Sequence, residues 1–297
     1  MNNLLKLEEE AIFILHEVYN NFVNPVLLFS GGKDSTVMIH LAKKAFSPNS
    51  IPFKILHIDT GHNFPEALVF RDKIIQEYNL TLIIKSVYES MNFRLLKDFD
   101  SKIPSRNKYQ SFALLDAIRD FNIDACIGGG RRDEEKARAK ERIFSVRDKD
   151  GVWNYSSQRP ELWDIYNTKM LPNENMRVFP LSNWTEEDIW QYIKQEKITL
   201  PELYFSHKRT CLEYDSKLIP FSNFIKIEPT DKIIEKFVRF RTVGDMTCTA
   251  AIESFATSVD EIISENINSK FSERGETRID DKISDTGMEE RKIEGYF

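Results

Sequence analysis

Ser30-Gly31-Gly32-Lys33-Asp34-Ser35 interrupts the apolar run Val26-Leu27-Leu28-Phe29, and Val37, Met38, Leu41 and Ala45 follow it at helical spacing. The apolar run suits a strand buried on both faces of a parallel sheet. The unit therefore reads as strand, glycine-rich turn, helix. Two glycines let the backbone approach a ligand closely and adopt positive φ. The N–H groups of such a turn, with the positive end of the following helix, make a nest for phosphate oxygens. The Ser30 and Ser35 hydroxyls add donors and Lys33 adds a full charge. The stretch is not a Walker A loop: Leu27 stands where its first glycine is required, and Asp34 follows Lys33. A plain strand-to-helix turn is the alternative.

The same alternation extends outward. Leu4, Leu7, Ala11, Ile14 and Val18 mark an amphipathic helix upstream. Downstream, Lys54 to Ile58 reads as a strand ending in Asp59-Thr60-Gly61, and Pro65 can open a helix. Leu80 to Ile84 is a third strand, Phe112 to Phe121 a helix, and Ile123 to Ile127 a fourth strand ending in Gly128-Gly129-Gly130. The pattern predicts an α/β fold, a parallel sheet with helices on both faces. Ligands in such sheets bind beyond the carboxyl ends of the strands, where all three glycine-containing turns open. Regularity falls after residue 147. Thr185 and Asp188 then cap a helix carrying Ile189, Tyr192 and Ile193. The expected division is a nucleotide-binding domain over 1–183 and a helical and irregular region over 184–297, ending in a charged tail from Ser272.

Composition narrows the function. Among 297 residues the net charge is −6, which disfavours a large polynucleotide footprint and leaves room for small anions at a local basic patch. Three cysteines, with no C-x-x-C, argue against a disulfide framework, a zinc ribbon or a redox pair. The longest purely apolar run, Ala11 to Leu15, is far short of the ~20 residues a bilayer needs. With no signal-peptide pattern at the start, a cytoplasmic protein is expected.

The densest basic patch is the segment from Arg131 to Arg147. It holds seven Lys or Arg (131, 132, 136, 138, 140, 142, 147) against four acids (133, 134, 135, 141), a local charge of +3. Projected on a helix, Arg131, Arg138 and Arg142 fall within about 40° of one another. Such clustering costs free energy unless an anion or nearby acids offset it. The segment reads as an anion-binding face, or else as a solvated helix laced by pairs such as Glu134 to Arg138. Asp59 can hold Mg²⁺ or fix a nucleotide, or simply cap the next segment. His57 reads as packed in its strand, and Cys126 as a small core residue. Trp153, Tyr155, Trp163 and Tyr166 read as packing for the long loop, with one of them free to stack on adenine.

These residues carry a resemblance. The hexapeptide at 30–35 resembles the modified phosphate loop of the ATP-pyrophosphatase group, enzymes that cut ATP between its α- and β-phosphates. Asp59-Thr60-Gly61 and Asn63-Phe64-Pro65-Glu66 resemble the branch holding phosphosulfate reductases and the small subunit of sulfate adenylyltransferase. The run Gly128 to Arg142, Gln158 to Trp163, Arg177 to Thr185, Arg239-Phe240-Arg241-Thr242 and the ending Met288 to Phe297 are similar to that small subunit. Gly244 to Thr249 departs from the pattern of some members.

The resemblance implies an adenine nucleotide alpha hydrolase-like fold and transfer of AMP from ATP to sulfate. It implies that Ser30, Gly31, Gly32, Lys33, Asp34 and Ser35 meet the β- and γ-phosphates. Asp59, Gly61 and Gly129 would lie near the nucleotide, with Mg²⁺ at Asp59. Arg131, Arg132, Arg138 and Arg142 would take sulfate and the α-phosphate, and these four with Lys33 are the expected catalytic residues. It also implies a GTPase large subunit as partner, with the tail as a docking or lid element. The rival enzyme is a phosphosulfate reductase, which needs a nucleophilic cysteine in a context that Cys126, Cys211 and Cys248 lack. A transfer-RNA thiolation enzyme fits less well, and the non-enzyme rival is a nucleotide-binding regulatory subunit.

Overall fold

The computed structural model describes residues 3–98, 100–134, 138–153 and 158–268, with Thr277 and Ile279. Tyr155, Lys136 and almost all of the tail lie outside the described residues. The first helix, α1 (Asn3–Asn21), buries Leu7, Ala11, Ile14, Leu15 and Val18, the stripe read from the sequence. It is followed by β1 (Val26–Leu28), α2 (Lys33–Phe46), β2 (Lys54–Asp59), α3 (Pro65–Glu77), β3 (Leu82–Ser86), α4 (Val87–Phe93), α5 (Gln110–Asp120) and β4 (Ala125–Ile127). Then come β5 (Phe144–Arg147), β6 (Asn175–Val178) and α6 (Glu186–Glu196). The capping box at Thr185 and Asp188 is present: the threonine oxygen accepts the Asp188 N–H, and the aspartate accepts the Thr185 N–H.

These strands form one six-stranded sheet, ordered β3-β2-β1-β4-β6-β5. Five strands run parallel, and β5 pairs antiparallel to β6 at the edge. Alternation along the strands feeds two cores. Leu27, Ile55, Ala125 and Ile127 pack with α1 and α2 side chains on one face. Val26, Leu56 and Cys126 pack with Leu114 and Ala117 of α5 on the other. Burial on both faces is why these strands read as unbroken apolar runs. The chain leaves β1 for β2 on one side and returns to β4 on the other, so the strand order reverses at β1, where ligands bind in open α/β sheets.

The region after 184 holds more regular structure than expected. It builds a second, antiparallel sheet, ordered β10-β9-β7-β8, from β7 (His207–Tyr214), β8 (Lys217–Pro220), β9 (Lys232–Arg239) and β10 (Ile252–Glu253). A last helix, α7 (Val259–Asn268), packs on α6. The sequence gives little sign of these strands because half the residues of β7 and of β9 are exposed and charged residues mix with apolar ones, so their periodicity is faint. Cys211, Val238 and Phe240 join the same apolar cluster as Leu27 and Ile55.

Candidate active site

The turn between β1 and α2 has the geometry its glycines allow. Gly31 adopts φ +80°, and a Cβ there would stand 3.3 Å from the Ala67 carbonyl oxygen. Gly32 sits at the N-cap, and its carbonyl accepts from the Ser35 and Thr36 hydroxyls, each at 2.9 Å. Two backbone donors of the turn are already engaged. The Gly32 N–H meets Ser30 Oγ at 3.3 Å, and the Lys33 N–H donates to the Tyr204 hydroxyl at 2.7 Å. Ser30 is exposed, whereas Lys33 is fully buried with its Nζ 3.0 Å from Asp34 Oδ2. Asp34 therefore faces cations: its other oxygen pairs with Arg131 Nη1.

Gly129, just past β4, brings the arginine segment against this turn. A Cβ at Gly129 would lie 3.0 Å from Asp34 Cβ and 3.2 Å from the Asp34 carbonyl carbon. Arg131 is buried and pairs with Asp34, Asp133 (3.0 Å) and Glu134 (3.9 Å). Arg138 is buried too, with Nε 3.4 Å from Glu134 Oε2 and its Nη1 lying over Gly130. Arg132 reaches Asn183 and the Glu141 carbonyl.

Among the described residues of this segment the expected helix is not seen. Residues 131–134 turn, Arg138–Lys140 make one 3-10 turn, and Phe144 enters β5. With no apolar stripe to bury, nothing pays the helix's ordering entropy, and each arginine takes its own acid or carbonyl instead. Arg142 consequently leaves the group: its guanidinium donates to the carbonyls of Arg159 (3.1 Å) and Lys140 (3.4 Å).

Two further charged residues complete the cluster. Glu186, at the start of α6, receives Arg241 through two hydrogen bonds, at 3.1 and 2.8 Å, and its backbone N–H donates to Asp133 at 2.7 Å. Burial pushes the Glu186 carboxyl up, but Arg241, Lys33 and Arg131 outweigh it and hold it below the ordinary value. The sequence offers Arg241 only within the Arg239-to-Thr242 motif, with no role attached, and gives no sign of Glu186. Neither has a local signal, since they meet across 55 residues.

Asp59 ends β2 half-buried, with Oδ1 accepting the Gly61 N–H at 2.8 Å; Gly61 has φ +74°. Beside this turn lies a cavity of 160 Å³, walled by Leu28, Leu56, Ile58, Asn63, Gln110 and Asp245. Gly244 and Asp245, from the stretch that departs from the family pattern, thus line it. Asp245 is buried and accepts from the Thr60 hydroxyl at 2.8 Å and Asn63 Nδ2 at 3.3 Å, tying the second half of the chain to the β2 turn. His57 is buried and also lines this cavity; its Nδ1–H donates to the Phe29 carbonyl at 2.8 Å, and burial lowers its pKa. His62 stacks on Phe224 at 4.0 Å, and burial with Arg106 nearby lowers its pKa to about 4. Tyr166 packs on Phe144 as expected for loop packing, but Trp163 is 85% exposed and contributes little to it.

A family model described as the phosphoadenosine phosphosulfate reductase domain matches residues 24–251. Over its full length the chain is 52% identical to a protein of Mycolicibacterium vanbaalenii named sulfate adenylyltransferase subunit 2, covering 100% of this chain and 95% of that one. The chain belongs to the sulfate adenylyltransferase subunit 2 family. A family member of the same name from Mycobacterium tuberculosis is 49% identical over the same 297 residues, with the same coverage. Among solved structures, an FMN adenylyltransferase of Candida glabrata with ATP aligns at a TM-score of 0.48 and 14% identity, covering 93% of this chain and 87% of that one. A phosphoadenylyl-sulfate reductase of Candida auris aligns at 0.44 and 17% identity, covering 68% and 91%. Among the described residues no helix of this family member is long and apolar enough to cross a membrane.

Proposed function

We propose that this chain is the nucleotide- and sulfate-binding subunit of a sulfate adenylyltransferase, transferring AMP from ATP to sulfate to give adenylyl sulfate and pyrophosphate. The observation that carries this reading is the convergence, where β1 meets β4, of the Gly31-Gly32-Lys33 turn with the buried guanidiniums of Arg131 and Arg138. The first turn of α2 takes the β- and γ-phosphates, with the Lys33 ammonium turning from Asp34 and the Ser35 hydroxyl from the Gly32 carbonyl to meet them. The cavity beside Asn63 and Gln110 takes the base. Arg131 and Arg138 face the α-phosphate with the sulfate, Arg132 standing at their edge. A sulfate oxygen attacks the α-phosphorus, the bond to the bridging oxygen breaks, and pyrophosphate leaves with its electron pair. Sulfate is already ionised, so alignment and fixed charge carry the reaction. Guanidinium planes suit both oxyanions better than ammonium groups do.

ATP brings Mg²⁺, which takes one or two carboxylates plus phosphate oxygens. Asp59 supplies one carboxylate on the correct edge, and among the described residues no group of three His, Cys, Asp or Glu forms a cage of its own. That donor set fits an ion held mostly by its nucleotide, whose chemistry is to neutralise charge on the departing pyrophosphate.

The family name numbers the protein as a subunit. The anhydride product is high in energy, and we assign the missing drive to a GTPase large subunit. Three free, buried thiols favour a reducing, cytoplasmic setting and leave none poised as the nucleophile of a reductase. The test is sulfate-dependent pyrophosphate release with the partner present. Lys33→Ala should raise the KM for ATP, and Arg138→Ala the KM for sulfate, each about tenfold or more, the weight of one charge-assisted contact. Full turnover in both variants would make the chain a regulatory subunit instead; sulfite release with thioredoxin would make it a reductase.

A further inference from the structure

Glu134 lies between the two buried arginines just assigned to the oxyanion. Its Oε2 stands 3.4 Å from Arg138 Nε, its Oε1 3.9 Å from Arg131 Nη1, and Oε1 also accepts the Arg131 N–H at 3.1 Å. The side chain is 13% exposed, so these charges meet with little screening water.

The wider cluster is largely self-neutralised, with Arg132 at its edge, held by Asn183 and the Glu141 carbonyl, as one further cation. Among the described residues, Lys33, Arg131, Arg138 and Arg241 face Asp34, Asp133, Glu134 and Glu186, four cations against four carboxylates. An arriving dianion is therefore not drawn into a bare positive pocket. It has to take guanidinium groups from carboxylates already holding them.

The four carboxylates are not equally able to yield. Asp34 sits in the first turn of α2, locked against Gly129. Asp133 holds the first N–H of α6, and Glu186 holds Arg241 through two hydrogen bonds. Glu134 also accepts a backbone N–H, from Arg131 at 3.1 Å, but that bond lies within its own irregular turn, whereas its contacts to the two guanidiniums, at 3.4 and 3.9 Å, are longer than ordinary hydrogen bonds and are the ones that can yield.

We infer that Glu134 is an internal competitor of sulfate: its carboxylate lies against Arg131 and Arg138 and must swing off them for the acceptor to bind. This rests on the reading that those two arginines hold sulfate. It makes Glu134 the residue that sets how weakly sulfate is held, separate from the residues that hold it. A purely supporting role, in which Glu134 aims the arginines at the ligand, predicts the opposite sign.

Glu134→Gln separates the two. The amide keeps an oxygen for the Arg131 N–H and removes the charge. Competition makes the KM for sulfate fall about fivefold, the weight of one partly shielded ion pair, with the KM for ATP unchanged. The sulfate-induced rise in melting temperature of the isolated chain should begin at a correspondingly lower sulfate concentration, which needs no partner. Glu134→Asp, one methylene shorter and unable to span both arginines, should shift the same way by less, and it serves if the glutamine variant does not fold. A KM for sulfate that rises or stays put in these variants overturns the inference. Arg138→Ala tells the two failures apart: if it leaves sulfate binding intact, the assignment of the arginines falls, and with it the ground for this inference. If it abolishes sulfate binding while Glu134→Gln does not tighten it, only the competitor role falls.

Discussion

Gly129 and Gly130 are neighbours in sequence, yet a methyl group on each should damage a different substrate. Neither has a left-handed φ, so alanine meets only what surrounds it. At Gly130 the new Cβ would stand 2.1 Å from Arg138 Nη1, and 3.1 Å from the Phe179 ring. Ordinary contact needs about 3.5 Å, so the guanidinium must retreat by more than about 1 Å. The ring edge gives less easily than a flexible arginine, so Arg138 is what moves. Losing one charge-assisted hydrogen bond to an oxyanion is worth about 1.5–3 kcal/mol, or roughly ten- to a hundredfold in the KM for sulfate. At Gly129 the methyl would instead meet Asp34 Cβ at 3.0 Å, the Asp34 carbonyl carbon at 3.2 Å and the Ser35 nitrogen at 3.4 Å. Two of those are backbone atoms of the first turn of α2. They can only shift together, by a few tenths of an ångström, at an overpacking cost of about 1–3 kcal/mol. Gly129→Ala should therefore lower the melting temperature and raise the KM for ATP, while Gly130→Ala raises the KM for sulfate and largely spares ATP. The assay is pyrophosphate release with each substrate varied in turn, beside a thermal scan. If Gly130→Ala impairs ATP and leaves sulfate untouched, the placement of Arg138 against the acceptor is wrong.

Two other expectations follow from buried charge. Glu141 pairs with Arg147, which also holds Ser145 Oγ at 2.6 Å, and both members of the pair are buried. Glu141→Gln leaves a buried guanidinium without its counter-charge at a cost of about 3 kcal/mol or more, so a thermal scan should show a fall of several degrees; an unchanged melting temperature contradicts the burial. Glu186 gives a pH test. Its folded carboxyl lies below the ordinary 4.5, so its stabilising contribution is complete above that value and is lost as pH falls through the depressed one. The stability gap between the parent and Glu186→Gln should accordingly be widest near neutrality and shrink below pH 4.5; a gap independent of pH would count against the Arg241 pairing.

Much of this was legible in the residues because it is local. The phosphate turn is written in consecutive positions, since glycine tolerance and a helix N-terminus are properties of neighbouring peptides. The strands of the first sheet announced themselves because burial on both faces demands continuous apolar runs. The capping box at Thr185 was readable from two residues three apart. The arginine segment shows where this ends. Helical projection grouped Arg131, Arg138 and Arg142, but Arg142 departs to the Arg159 carbonyl.

By itself, then, the chain determined an α/β sheet, a glycine-rich turn at the end of β1 and a supply of arginines near the end of β4. Only the tertiary structure decided which arginines gather at that turn, that Asp34, Glu134 and Glu186 pair with them, and that Asp245 closes the cavity from 185 residues beyond Thr60. The physical reason is the range of the forces. Turns and caps are set by peptides a few positions apart, whereas the Coulomb partner of a buried charge is whatever the packed cores bring within about 4 Å, at any separation along the chain.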